Sequence, residues 1–196
     1  MKTVSTLALL AIITSTARAQ SSVALGLKAG ATYSNIVGDY SYKSIFGFHA
    51  GAFANIALGN VVAVQPELLY SQKGASYPAL LGDKIVRRLH YVDVPVMLRF
   101  NTNALFVEAG PQVGFLVKAQ DRYDGTTTAL DRSYFNEVDF GYAVGLGYQP
   151  KSGLGLGVRY NRAFSNLLPD GAAVYNPDYR LHNSAFQLYL AYSFGG

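Results

Sequence analysis

The chain has 196 residues; 50% are hydrophobic and only 14% are charged, where a soluble domain carries about 25% charged residues. That apolar share excludes a disordered chain, and 20 glycines without a three-residue period exclude collagen. With no cysteine, disulfide scaffolds, thiolate metal sites and cysteine nucleophiles are excluded as well. At the N-terminus, Lys2 precedes an apolar run over 7–13, and Ala17-Arg18-Ala19 follows as an A-x-A cleavage site. The run is too short to span a bilayer, so residues 1–19 read as a cleaved signal peptide and 20–196 as the mature domain. Cleavage removes Lys2 and Arg18 and leaves 14 basic against 12 acidic residues, so basicity gives no argument for nucleic acid. Arg87-Arg88 is the one basic cluster, and it reads as solvated loop charge.

The mature chain alternates with a period of two in eight runs. The first, 23–34, sets Val23, Leu25, Leu27 and Tyr33 against Gly26, Lys28 and Gly30. The second, 46–57, sets Phe46, Phe48 and Ile56 against Gly47, His49 and Gly51. The third, 61–73, sets Val64, Leu68 and Tyr70 against Gln65, Glu67 and Lys73. The fourth, 89–100, opposes Val94, Val96 and Phe100 to Asp93 and Arg99. The fifth, 105–117, opposes Val107, Val113 and Phe115 to Glu108 and Gly114. The sixth, 138–148, opposes Phe140, Val144 and Tyr148 to Asp139 and Gly145. The seventh, 154–161, opposes Leu154, Leu156 and Tyr160 to Gly157 and Arg159, and the eighth, 183–194, opposes Phe186, Leu188 and Phe194 to Gln187 and Tyr189.

Strands of about ten residues match a tilted bilayer crossing. Short turns at 58–60, 101–103 and 149–152 alternate with long polar loops near 35–45, 74–88, 118–137 and 162–182. This predicts an all-β, eight-stranded antiparallel up-and-down transmembrane barrel, with both termini on the short-turn side. A soluble barrel around an apolar ligand has the same period, and the charges decide between them. Lys28, Glu67, Lys73, Asp93, Arg99, Glu108, Asp139 and Arg159 all share a parity with the glycines. Facing water, that parity is a thinly charged surface; facing the lumen, its four cations meet four anions in a network of buried charges. The glycines on that side make room for long side chains and ease the bend of a small barrel. Aromatics on the other parity group at strand ends: Tyr33, Phe46, Phe48, Tyr70, Phe115, Phe140 and Tyr160 towards the loops, Phe100, Tyr148, Tyr192 and Phe194 towards the turns. That is the two-belt pattern of a lipid-facing wall.

Five stretches carry a family resemblance: 47–51 (GFHAG), 65–74 (QPELLYSQKG), 91–95 (YVDVP), 108–114 (EAGPQVG) and 159–161 (RYN). With them, the mature chain resembles the small outer-membrane β-barrel proteins known as porin-like or PorT-like. The resemblance implies an outer-membrane location in a Gram-negative bacterium and no defined activity. Many such barrels end on an aromatic residue, whereas here Gly195-Gly196 follow Phe194.

Chemistry-bearing residues are sparse. His49 falls on the lumen parity near the outer rim, His90 on the lipid parity at the rim, and His182 in or beside the last loop. Asp39, Asp83, Asp121, Asp124, Asp131, Asp170 and Asp178 lie in loops, where aspartate also serves turn geometry. No spacing isolates a triad, a metal site or a phosphate loop, so no catalytic residue, metal or cofactor is expected. An eight-stranded interior is just wide enough to be filled by side chains. The expected function is a structural or interaction role, with outer-membrane lipids around the wall and other envelope or extracellular proteins as partners of the loops. The loop tyrosines Tyr40, Tyr42, Tyr77, Tyr123, Tyr134, Tyr175 and Tyr179 supply amphipathic contacts for the latter. A narrow channel for small solutes or ions, a rim-located hydrolase and a soluble periplasmic barrel remain as alternatives.

Overall fold

The computed structural model describes residues 23–38, 42–79, 84–150, 152–169 and 180–194. The predicted signal peptide, the C-terminal Gly195-Gly196, the loop aspartates Asp39, Asp83, Asp170 and Asp178, and the tyrosines Tyr40, Tyr175 and Tyr179 lie outside the described residues.

The strands are β1 (Val23–Val37), β2 (Lys43–Ala57), β3 (Val62–Pro78), β4 (Lys84–Thr102), β5 (Leu105–Tyr123), β6 (Thr126–Leu130), β7 (Val138–Tyr148), β8 (Leu154–Ala163) and β9 (His182–Phe194). Eight of them form the ring β4-β3-β2-β1-β9-β8-β7-β5, which β4–β5 pairing closes. Every neighbouring pair is antiparallel. Closure gives each wall strand a neighbour on both sides and leaves no edge within the ring, the condition for strands to cross hydrocarbon. Among the described residues no helix is long and apolar enough to cross a membrane.

The wall follows the pleat. Leu25, Leu68, Leu146 and Leu188 stand 53–60% exposed on the outside, while Lys28, Glu67, Gln65 and Arg159 are buried inside. An apolar outer surface of this extent is stable against acyl chains, not against water. Aromatic rings contact across strands at the loop end, as in Tyr33–Phe46 (4.9 Å), Phe48–Tyr70 (5.7 Å) and Tyr160–Phe186 (4.8 Å). At the turn end, Tyr192 and Phe194 make the corresponding contact at 5.3 Å.

Two features depart from the sequence reading. The runs of about ten residues extend to 17 in β3 and to 19 in β4 and β5. Most of the expected loops at 74–88 and 118–137 are therefore ladder. Above the bilayer the outer face turns polar, with Lys84, Arg88, Lys118 and Arg122, while the inner face also holds small and apolar residues, so the period-two signal fades although the pairing continues. β6 is a ninth strand, paired with β5 outside the ring, and Asp131 caps the short 3-10 turn Arg132–Tyr134 by accepting from the Ser133 amide. The second departure is a bulge in β4–β5, where His90 pairs with Lys118 but Tyr91 with Leu116. The extra residue, Val117, flips the faces of β5: Leu116 and Ala119 are both buried, and Asp121 then points inward. A further irregularity opposite Gly74 in β3 requires glycine, since its φ is +142° and a Cβ would strike the Arg87 carbonyl oxygen.

Asp121 and Tyr77 are thus not free loop residues. Arg87 donates from Nε to Asp121 Oδ1 (2.9 Å) and from Nη2 to Oδ2 (2.8 Å), and its guanidinium stands 5.3 Å from the Tyr77 ring and 5.4 Å from that of Phe135. Tyr77 donates its hydroxyl to Asp121 (3.1 Å). Burial first, and then the Asp121 carboxylate against the pull of Arg87, push the Tyr77 phenol up to about 12. A raised phenol favours the fold fully below the unfolded value near 10, and its contribution fades as pH rises towards 12. Subtracting the 295 nm absorbance titration of Tyr77→Phe from that of the parent protein should leave one phenolate component with a midpoint near 12; a midpoint near 10 contradicts the packing.

Candidate functional site

The interior is built in layers along the axis. Nearest the short turns, Phe53, Phe106, Tyr189 and Ala191 form a buried apolar floor. The Arg99 guanidinium lies on Phe106, 3.8 Å from the ring centre, and donates to Gln65 (2.6 Å) and Gln149 (3.1 Å). Although Arg99 and Glu108 are Cα partners in the ladder, no ion pair joins them among the described residues. Arg159 reaches across to Glu108 first, and the Arg99 side chain turns down onto the aromatic floor instead.

The middle layer is ionic. Glu67 Oε1 accepts from Lys28 Nζ (2.7 Å), Gln65 Nε2 (2.7 Å) and Arg159 Nη2 (2.8 Å), and its Oε2 accepts from Arg159 Nη1 (2.8 Å). Glu108 Oε1 accepts from Arg159 Nε (2.9 Å) and Nη2 (2.6 Å) and from the Tyr189 hydroxyl (2.9 Å). Lys28 Nζ also sits 4.1 Å from the centre of the Tyr189 ring. Two anions and two cations with these donors meet the main condition under which buried charge is tolerated, close pairing reinforced by hydrogen bonds; Glu108 Oε2 alone of the four carboxylate oxygens is buried without a partner among the described residues.

Above it, Lys73 donates to Asp93 (2.9 Å) and faces the Tyr91 ring at 4.8 Å. Asp139 completes this layer without a cation among the described residues. It accepts from Ser165 Oγ (2.7 Å) and Asn183 Nδ2 (2.9 Å). The eight charges expected in the lumen therefore do not form four matched pairs: Arg99 and Asp139 are held by neutral amides and a hydroxyl. A cavity of about 10 Å³ lies among Lys73, Gln112, Asp139 and Asn161, room for one water.

An apolar plug closes the loop end. Ile36, Ala75, Leu89, Tyr91, Leu116, Ala119, Phe135, Leu167 and Leu181 form one buried cluster. The alternation does not single out this plug. Its available signals are Phe135, Leu167 and Leu181, large apolar residues inside otherwise polar loops. Gln65, Gln149, Asn183 and Tyr189 are equally silent in a count of charges, though Gln65, Asn183 and Tyr189 carry the inward parity.

The histidines stand on separate partners. His49 Nδ1 shares a hydrogen with Thr32 Oγ1 (3.0 Å) inside the barrel, His90 Nδ1 shares one with the Tyr70 hydroxyl on the outer face, and His182 Nδ1 meets the Ser165 carbonyl (2.8 Å). Among the described residues no group of three or more His, Asp or Glu side chains has the arrangement of a metal site.

Comparisons with known proteins agree with this architecture. No curated protein matches the chain by sequence. Among solved structures, neisserial surface protein A (NspA) superposes with a TM-score of 0.61 at 11% identity, over 88% of this chain and 99% of that one. Ail, the attachment invasion locus protein of Yersinia pestis, superposes with a TM-score of 0.51 at 18% identity, over 87% and 98% of the two chains. Ail in complex with the heparin analogue sucrose octasulfate gives the same score at 16% identity, over 88% and 99%. At these identities the likeness is one of fold. The model of the family described as "Outer membrane protein beta-barrel domain" matches residues 17–168. With a closed eight-stranded ring, a greasy outer wall and a polar interior already in place, the chain belongs to the outer membrane protein β-barrel domain family and is an outer-membrane β-barrel protein.

Proposed function

We propose that this protein is a closed barrel with a structural or interaction role, presenting its extracellular loops as the contact surface, and that it conducts no steady ion current. The observation that carries this reading is the Glu67–Arg159–Glu108 cluster with Lys28, whose ion-paired side chains are 0–1% exposed in the middle of the lumen. A wide path for solute requires breaking these contacts, and one-sided breakage leaves an unpaired charge in a low-dielectric interior. The apolar plug at the loop end and the Arg99–Phe106 floor at the other end support the same reading. Reconstitution in planar bilayers tests it: the expected record is a flat baseline, and large, stable single-channel currents overturn the proposal in favour of a narrow channel.

A hydrolytic role finds less support, because each histidine is hydrogen-bonded to a hydroxyl or carbonyl and, among the described residues, none is held by a carboxylate. Of the tyrosines expected to serve contacts, Tyr42 and Tyr77 pack edge to face on each other at 6.2 Å. Among the described tyrosines Tyr123 and Tyr134 stay 38% and 66% exposed, which offers them to a protein partner. The leader read at residues 1–19 is the export route this role needs.

A further inference from the structure

Arg87 and Arg88 are adjacent in the chain and point to opposite sides of β4. Arg87 turns inward and is neutralised by Asp121. Arg88 turns outward, and strand pairing gathers more cations around it. On β4, Lys84 and Arg88 share the outer face; across the ladder, Arg122 stands opposite Val86 and Lys118 opposite His90. Directly opposed side chains of an antiparallel pair have Cβ atoms about 5 Å apart, and diagonal neighbours about 7–8 Å. Lys84, Arg122, Arg88 and Lys118 therefore form one staggered column. Among the described residues every salt bridge lies elsewhere, and no described carboxylate neutralises this column. Arg88 donates from Nη1 to the Phe46 carbonyl (3.3 Å) and the Gln72 amide oxygen (3.5 Å). A concavity of about 400 Å³ opens among Lys84, Val86, Arg88 and Arg122, with Gly125 and one anion, Asp124, at its border.

The height of the column identifies its partner. Tyr70, Val92 and Phe115 share one level of the ladder, and Tyr70 and Phe115 belong to the loop-side aromatic belt. Lys118 sits two ladder positions above that level and Lys84 eight. With about 3.4 Å per residue and a tilt of roughly 40°, the column runs from about 5 Å to about 20 Å above the belt. Its lower half lies in the headgroup zone, and it continues upward the same face that contacts acyl chains below. Val117, 44% exposed on the outer face, abuts its foot, and the bulge turns Lys118 outward beside it. A lipid packed on Phe115 and Val117 places its headgroup on Lys118 and Arg88.

We propose that this column binds the phosphate groups of phosphorylated lipids in the outer leaflet, anchoring the barrel laterally to its membrane. Full-length mature protein in zwitterionic detergent, examined by native mass spectrometry, tests the assignment with three probes: diphosphoryl lipid A, enzymatically dephosphorylated lipid A, and sucrose octasulfate. The parent protein is expected to bind the diphosphoryl form at least tenfold more tightly than the dephosphorylated one, with the preference shrinking as salt rises. The combined variant Lys84→Gln, Arg88→Gln, Lys118→Gln, Arg122→Gln should lose that preference, while Arg162→Gln, an exposed cation on β8, should keep it. The single Arg88→Gln and Lys118→Gln variants, each expected to lose about half of the gain on a logarithmic scale, decide the matter if the combined variant fails to refold. Equal binding of the two lipids, a preference that survives the substitutions, or column-dependent binding of sucrose octasulfate alone each overturns the proposal, the last in favour of a soluble sulfated partner.

Discussion

Glu67→Gln is expected to destabilise the folded barrel by about 3–5 kcal/mol, the cost typical of breaking a buried ion pair from one side. Glu67 accepts from Lys28, Gln65 and two nitrogens of Arg159, and no other carboxylate among the described residues bonds Lys28. The amide keeps the shape but removes the charge, leaving Lys28 and Arg159 to share Glu108 alone. In a low-dielectric interior the surviving excess of positive charge is the larger part of the loss, and the amide NH₂ adds a donor that faces the donors of Arg159. The measurement is reversible urea unfolding in lipid vesicles, followed by the mobility shift between folded and unfolded barrel on unheated gels. Arg99→Met is the informative comparator. Among the described residues Arg99 bonds to the neutral Gln65 and Gln149 and rests on Phe106, with no carboxylate partner, so its loss strands no charge there, and methionine fills much of its volume against the ring. Its cost should stay near 1–2 kcal/mol. Equal losses for the two variants would mean that charge pairing is not what holds the middle layer.

Gly157→Val should cost about 2–3 kcal/mol and disturb the same layer from the wall. Gly157 is the Cα partner of Tyr189, and a Cβ built there would overlap the Tyr189 ring at Cζ. The ring cannot yield freely, because its hydroxyl donates to Glu108 and Lys28 packs on its face. Overpacking of this kind typically costs 1–3 kcal/mol, and displacing the hydroxyl removes a hydrogen bond to a charged group besides. Thermal unfolding of the refolded barrel in detergent reads the effect, and Gly157→Val combined with Tyr189→Ala should recover part of it by removing the clash. A loss in the combined variant equal to the sum of the two single losses would contradict the contact. The same aromatic-over-glycine arrangement recurs at Gly147, under Phe106, and at Gly26, under Phe53. The one-sided glycines of the sequence therefore seat the flat rings of neighbouring strands as well as easing the bend.

Particular residues mark how far the sequence could be read. Leu25 and Lys28, Leu68 and Glu67, Val158 and Arg159 stand on the sides of the wall that their parities assign, because the pleat is local and turns successive side chains to opposite faces whatever the rest of the chain does. Asp121 could not be placed in this way. One extra residue at Val117 reverses the parity of everything beyond it on β5, and a bulge has no signature in hydrophobic alternation when the strand has already left the bilayer. Arg87-Arg88 looks like a single solvated pair in one dimension, yet one guanidinium serves the interior and the other stands among cations contributed by β5.

The amino-acid sequence by itself determined the number of wall strands, the side on which turns and loops fall, and which face meets lipid; all three follow from a two-residue period and from the length of chain that crosses a bilayer. The tertiary structure alone decided that Arg159 rather than Arg99 answers Glu108, that Asp139 is held by Ser165 and Asn183, that loop leucines and Phe135 close the outer end, and that four separate cations share one column. Those choices depend on reach across the lumen and on the register between strands distant in sequence, and neither distance is encoded in the spacing of residues along one strand.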